Sequence, residues 1–487
     1  MTKKRLLITI SVIIVMMLSA FSLVACKKPT PDGEGDETPP VEETDGNKIP
    51  DPINTFDFEL NEDGTGYIIT GIGSKKDIKS ASIPEVYGDK DDKKPVVEIA
   101  DNAFVYAENV LTSIYVHGDN LKKIGNGAFS NSSGIKTMRL SNTLTSIGDY
   151  AFKNCSALIE ADLPESVESI GNGAFLGCSK LAKVVIPSKI TNIGEQTFMG
   201  CSALRNEFTN KEGAVEGLIV KTNKIVTIGN EAFRNCSKLA DVSMFFTEQL
   251  TTIGAKAFMG CTDLVGKAQS EDSKVKELVI PKNIVKIQEE TFRACTKLAN
   301  VVFNDELLEI GEKAFMECKS IKAVEFPNSL KIIGKHAFEE TSSLENVILN
   351  DGLETIDDYA FAKSSGNGFD DEGNHIYTGL SEIVVPNSVK VIGKFAFTAC
   401  YNLQKVTFGT GIEYIAEGAF RMSGKNGITF NFEGNSSEWQ ALVDGGKIEM
   451  NFAWGCDDIL KINVACKDGV NVEMTFATKT PEQTEQG

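Results

Sequence analysis

An isoleucine followed five residues later by a phenylalanine recurs thirteen times along the chain. The isoleucines stand at 99, 124, 147, 170, 193, 228, 253, 287, 310, 333, 356, 392 and 415. The phenylalanines stand at 104, 129, 152, 175, 198, 233, 258, 292, 315, 338, 361, 397 and 420. Self-similarity at a basic step of 23 residues is what stacked supersecondary units require, so the chain reads as a repeat solenoid. Within one copy, Ile147, Ala151, Phe152, Cys155 and Leu158 are spaced to share one side of a short helical segment. Leu181, Val184 and Ile186 then follow an L-x-x-V-x-I spacing that reads as a short strand, ended by Pro187. Neither piece can bury its apolar face alone, so each copy needs a neighbour on both sides. The phenylalanines are expected to form one internal spine, each burial contributing roughly 1.5 to 3 kcal/mol before chain entropy is counted.

The pattern Ile-Gly-x-x-Ala-Phe-x-x-Cys-x-x-Leu-x-x-Val-x-Ile-Pro resembles the BspA-like bacterial surface leucine-rich repeats over residues 96 to 423. The resemblance implies a leucine-rich-repeat solenoid of about thirteen 23-residue repeats, each a short helix plus short parallel strands. It also implies a cell-surface binding or adhesion role, with host or matrix proteins as a frequent class of partner. No catalytic residues come with it. One departure from ordinary leucine-rich repeats is expected: no asparagine ladder follows the strand, and the Phe and Cys columns pack the interior instead.

Residues 1–25 have a basic start at Lys3, Lys4 and Arg5, then an apolar run from Leu6, as in a secretion signal peptide. Leu23-Val24-Ala25-Cys26 resembles the bacterial lipobox, which implies cleavage before Cys26 and lipidation of its sulfur. The alternative is an uncleaved membrane span, for which the apolar run is marginal against the ~20 residues a span needs. Either way, the mature chain is expected outside the cytoplasm as a membrane-anchored lipoprotein. Residues 26–52 are rich in Pro, Asp, Glu, Thr and Gly and read as a disordered tether.

Residues 53–95 precede the period. Phe58, Leu60, Tyr67 and Ile69 flank the turn-rich run from Asn61 to Gly66, which predicts a hairpin that caps the first repeat. Gly71-x-Gly73 reads as a turn, because no phosphate-binding lysine follows at the required spacing. The solenoid proper spans 96–423. Past Gly424 the period is lost; Ile428 to Phe432, Trp439, Phe452, Trp454 and Ile459 to Ala465 read as strands of a β-rich C-terminal cap over 424–475. This segment resembles the family's usual closing unit. Residues 476–487 read as a disordered tail.

Three steps of the period are long, placing extra residues at 205–217, 265–277 and 364–379. All fall between a repeat phenylalanine and the next strand, so they are expected to leave the solenoid on one edge. Loops of this length are often functional, although polar ones are also cheap to accommodate.

The formal charge is −19, and three basic residues leave with the signal. So acidic a chain is a poor partner for nucleic acid, which calls for a basic footprint. Of eleven cysteines, those at 155, 178, 201, 236, 261, 295, 318 and 400 share the position three after the phenylalanine. Ala107, Ser132, Thr341, Ser364 and Ser423 stand there in other copies, so the site is expected to want a small buried side chain. Adjacent rungs lie ~4.8 Å apart, yet parallel side chains make poor disulfide geometry, and free thiols are expected. Whether Cys456 and Cys466 pair is left open.

Little in the sequence points to catalysis. His117, His336 and His375 are isolated, and neither zinc-ligand spacing nor a Gly-x-Ser-x-Gly elbow occurs. The acidic run Asp370-Asp371-Glu372-Gly373-Asn374 lacks the alternating ligands and closing glutamate of a calcium loop. No cofactor, metal or catalytic residue is expected.

The more informative column is the strand residue that points away from the core: Tyr115, Arg139, Asp162, Val185, Ile219, Ser243, Val279, Val302, Glu325, Ile348, Val384 and Thr407. Val and Ile suit any strand, but an apolar stripe along a solenoid sheet is also where ligands bind. Tyr115 and Arg139 are of residue types enriched at binding hot spots. The sequence therefore predicts a monomeric, extracellular, membrane-anchored protein that binds a protein or glycan through its sheet face and same-edge loops. The alternative is a cell-envelope scaffold that contacts cell wall or other surface proteins.

Overall fold

The computed structural model describes residues 56–476 except 74–77, 106–109, 269, 271–272, 370–371, 374, 426 and 451–459. The signal peptide, Cys26, the tether and residues 477–487 of the tail lie outside the described residues, as do Ala107, Phe452, Trp454 and Cys456.

Each copy winds through two short parallel strands joined by an arc of turns. The first strand ends at the repeat isoleucine, and these two-residue strands pair in register from copy to copy, as Ile124 with Ile147 and Ile147 with Ile170. The second, outer strand carries the L-x-x-V-x-I residues; Lys183–Ile186 lies between Glu160–Asp162 and Leu218–Val220. Both ladders are parallel because each copy repeats the same path one rung further on.

The expected short helix is absent. Ile147, Ala151, Phe152, Cys155 and Leu158 are all buried, but the backbone that carries them is a chain of turns. The reason is a pair of left-handed residues, three and seven positions after the isoleucine, in every arc from the Ile124 copy onwards: Tyr150 (φ 56°) and Asn154 (φ 59°) here. A right-handed helix cannot accommodate them. What they allow is a third ladder. In the Ile124 copy, the N–H groups of Gly127, Phe129 and Asn131 donate to the carbonyls of Asp149, Ala151 and Lys153 at 2.7, 2.8 and 2.7 Å. The same three bonds recur one rung on, from Tyr150, Phe152 and Asn154 to Asn172, Ala174 and Leu176.

Holding the phenylalanine backbone in this ladder stacks the rings. From Phe104 to Phe420, consecutive rings lie 4.7 to 5.7 Å apart and within 17° of parallel. The expected spine is thus a continuous offset stack, a favoured arrangement for aromatic pairs. The cysteine column lies beside it. Cys155 Sγ donates to the carbonyl of Phe129 at 3.3 Å and Cys178 Sγ to that of Phe152 at 3.1 Å. Ser364 and Ser423 make the same bond to Phe338 and Phe397. In these copies the small side chain also carries a donor.

A polar ladder does exist, on a different strand from the one after which none was expected. Two residues after the isoleucine, Asp101, Asn126, Asp149 and Asn172 each accept, through Oδ1, the N–H of the same position in the next copy, at 2.7 to 2.8 Å. It follows the isoleucine strand rather than the outer strand, and Asp serves as well as Asn because only an acceptor is needed.

The N-terminal segment forms the expected hairpin, Phe56–Leu60 against Tyr67–Ile72, and Ile69 pairs with Ile99 to prolong the isoleucine ladder. Phe56 meets Phe104 edge-on at 5.7 Å and ends the ring stack. At the far end, Thr429–Phe432, Leu460–Cys466 and Asn471–Phe476 extend the outer sheet. Trp439, expected in a strand, sits instead in the helix Ser436–Asp444, where its ring packs 5.2 Å from Phe408. Glu438 Oε2 accepts the Asn435 N–H at 2.7 Å and so caps the start of this helix. Phe476, expected in the tail, is the last residue of the final strand.

Candidate binding face

The outward column takes its geometry from the outer ladder. Because side chains alternate along a strand, the residue between two buried ones must leave the core. Ser82, Tyr115 and Arg139 lie side by side, then Asp162, Val185 and Ile219, then Val279 with Val302, and Glu325 with Ile348. Val384 continues into Thr407 and Asn431. Tyr115, Val279, Val302, Ile348 and Val384 are among the exposed large apolar side chains of the structure, and Arg139, Asp162 and Glu325 are exposed as well.

Two members differ. Val185 is only 8% exposed and Ile219 is half-buried. Both precede or adjoin the first long insertion, whose chain enters the ladder at Leu218. The middle of the column is therefore closed, and its accessible apolar residues fall on either side. Close to Val185, Lys183 Nζ reaches Asp162 at 2.9 Å and Glu160 at 3.6 Å; the Asp162 bond comes first among the causes that raise the lysine pKa. Asp162 is thus committed to an ion pair.

The ladder also breaks at one copy whose spacing matches the others. In the Ile228 copy, Asp241–Phe246 forms turns in place of a strand, so Ser243 occupies no strand position. Asn206 compensates: its amide nitrogen donates to the Asp241 carbonyl at 2.6 Å, and its oxygen accepts the N–H groups of Ala240 and Asp241 at 2.8 and 2.9 Å. The side chain replaces the bonds a neighbouring strand would have made.

All three insertions are β-hairpins. They pair Phe208–Thr209 with Val215–Glu216, Lys267–Ala268 with Lys276–Glu277, and Ser365–Phe369 with His375–Gly379. Each returns into the start of an outer strand, so the column and the hairpins adjoin. The first two follow the repeat leucine, Leu204 or Leu264, whereas the third precedes it at Leu380. Arg205 lies over the Phe208 ring at 5.0 Å in the first hairpin. The third carries a run of rings, Phe369, His375 and Tyr377, that lies outside the repeat-strand column and so outside the periodic pattern.

No group of three or more His, Cys, Asp or Glu among the described residues could hold a metal ion. His117 Nε2 is 2.7 Å from Ser82 Oγ, and His336 Nδ1 is 2.6 Å from Glu339. Cys155, Cys261 and Cys400 are buried deeply enough that their pKa is pushed up to about 12, so they carry no thiolate for nucleophilic chemistry near neutrality. Among the described residues no helix is long and apolar enough to cross a membrane.

The chain belongs to the family described as the BspA type leucine-rich repeat region, which matches residues 97–212, 206–266, 265–370 and 371–441. Among solved structures it is similar to a leucine-rich repeat protein of Bacteroides ovatus, at 23% identity over 82% of this chain and 98% of that one, with a TM-score of 0.59. It is also similar to a leucine-rich cell surface protein of Faecalibacterium prausnitzii, at 22% identity over 85% of this chain and all of that one, with a TM-score of 0.49. No curated protein matches the chain. Proteins of this family are typically found at the cell surface and act by binding rather than by catalysis.

Proposed function

We propose that this protein is an extracellular, membrane-anchored adhesion or recognition protein that engages a host or matrix protein or glycan. The anchor is the lipid carried by Cys26. The contact surface is the outer sheet face together with the three hairpins. One observation carries the reading: Tyr115, Val279, Val302, Ile348 and Val384 are all exposed at the outward position of successive segments of the outer sheet, and two of the hairpins lead into the strands of Val279 and Val384. Monomeric soluble proteins seldom leave so many large apolar side chains aligned on one face without a partner. Tyr115 and Arg139, adjacent in register, are the anchors.

The test is binding of soluble residues 53–487, and of a Tyr115→Ala/Arg139→Ala version, to matrix proteins, mucins, glycans and purified cell wall. A specific hit weakened by the double substitution is expected. Binding to cell wall alone would turn the adhesin into an envelope scaffold. Binding that ignores the substitutions would move the contact to the hairpins.

A further inference from the structure

We infer that the aromatic face of the hairpin Ser365–Gly379 is a binding site for an uncharged saccharide chain. The inference rests on the recognition reading above and gives it a ligand class and a place.

The hairpin register puts Phe369 opposite His375 and Asn367 opposite Tyr377, so Phe369, His375 and Tyr377 share one face of the ribbon. Their rings form a row. Phe369 and His375 are 4.5 Å apart, His375 and Tyr377 5.8 Å apart and within 12° of parallel, and Tyr401 of the next copy continues it 5.4 Å from Tyr377. Lys425, one copy further, places its ammonium 4.8 Å from the Tyr377 ring centroid and donates to the Tyr377 hydroxyl. Phe369 is 66% exposed, more than any other large apolar side chain among the described residues. The hairpin base is held separately, by the bond from Asn402 Nδ2 to the Gly379 carbonyl at 2.9 Å. Neither of the other two hairpins carries such a row; Phe208 is the one ring in the first, and the second has none.

Rings spaced in this way suit a ligand that is itself a succession of rings with apolar C–H faces and hydroxyl edges. A sugar chain has that form. It packs its C–H faces on aromatic rings and offers its hydroxyls to the tyrosine, histidine and lysine heads beside them. Charge selects within the class. Between the two hairpin strands the sequence carries Asp370, Asp371 and Glu372, and the whole chain is at −19, so sulfated or uronic-acid polymers are disfavoured. Single-stranded nucleic acid, the other ligand that stacks on aromatic rows, calls for a basic groove that this chain lacks.

The experiment uses the full purified chain on an array of neutral, sulfated and uronic-acid oligosaccharides, followed by calorimetric titration of the strongest neutral hit. Binding of a neutral oligosaccharide is expected. Phe369→Ala and Tyr377→Ala should each weaken it by roughly tenfold or more, while Tyr377→Phe, which keeps the ring, should stay close to the parent. Phe208→Ala in the first hairpin should change nothing. Retained strand signal and protease pattern in the variants identify a loss as local. The inference is overturned if no neutral glycan binds, if binding survives both ring deletions, or if only anionic glycans or a protein bind at these residues. Should a matrix protein bind through Tyr115 and Arg139 while no glycan binds, this site fails and the broader reading stands; should nothing bind at all, both fail.

Discussion

Cys178 donates its thiol hydrogen to the carbonyl oxygen of Phe152, 3.1 Å away and one rung earlier. The same residue's N–H bonds to the carbonyl of Phe175 in its own rung. One small side chain thus joins two copies next to the ring stack, where no water can replace the bond. Cys178→Ala should cost about 1 to 2 kcal/mol, whereas Cys178→Ser, which keeps a donor, should cost less. Denaturant titration of the two variants decides it; equal losses would mean that volume alone matters.

Ionisation of the thiols sets an alkaline limit. Their ordinary pKa is 9.0, and burial pushes Cys155, Cys261 and Cys400 up to about 12. The folded state thus binds protons that the unfolded state releases. The resulting stabilisation is complete below pH 9 and is lost as pH climbs towards 12. Tm should fall over that interval, and less steeply in a variant with these cysteines changed to serine. A thiol reagent at neutral pH should label them only after unfolding.

Phe258 lies in the middle of the stack, 5.6 Å from Phe233 and 5.7 Å from Phe292. Phe258→Ala should cost about 3 to 5 kcal/mol and open the array locally, because each rung touches only its neighbours. Limited proteolysis should reveal a new cut near residue 258; an unchanged digest would show that the stack tolerates the gap.

Two glycines separate two backbone demands. A Cβ on Gly171 would run into the Gly148 and Asp149 backbone of the previous copy, while on Gly200 (φ 76°) it would meet only Gly177 at ordinary contact distance. Gly200→Ala should therefore cost only the left-handed penalty of about 1 to 2 kcal/mol. Gly171→Ala should cost more, since the rungs must separate. Thermal melts of the pair test the order.

Asp149 accepts the Asn172 N–H at 2.7 Å in the polar ladder. Asp149→Asn keeps the acceptor and should be near neutral, while Asp149→Ala should lose about 1 kcal/mol. Hydrogen exchange at the Asn172 amide reads the difference directly.

The period, the ring column, the N-terminal hairpin and the exposed members of the outward column were legible, because each follows from spacing in one chain. The arc was not. Ile147, Ala151, Phe152 and Cys155 have the spacing of a helical face, and only the left-handed Tyr150 and Asn154 between them turn that spacing into a different backbone. Asn and Gly recur at those positions, which is the signal that was available. Lys256, His336 and Phe395 adopt the same conformation without any such cue. The burial of Val185 and the loss of the strand at Asp241–Phe246 depend on neighbouring rungs of unequal length, which a repeat pattern averages away. The aromatic row escaped for a related reason: its rings come from a hairpin and from Tyr401, outside the strand column.

The arc ladder also gives the array a sense of direction. Its N–H groups at the third, fifth and seventh positions all point towards the C-terminal neighbour, so their peptide dipoles add instead of cancelling as they nearly do in a sheet. The positive pole lies at the C-terminal end, the reverse of an α-helix. There the Gly418 N–H finds the Glu449 carbonyl. A break in the solenoid would leave the three arc donors on the N-terminal stump and their acceptors on the C-terminal one, while strand-edge bonds such as Gly148 N–H to the Ile124 carbonyl run the other way. Within the arc, donors meet acceptors only where two such stumps rejoin head to tail.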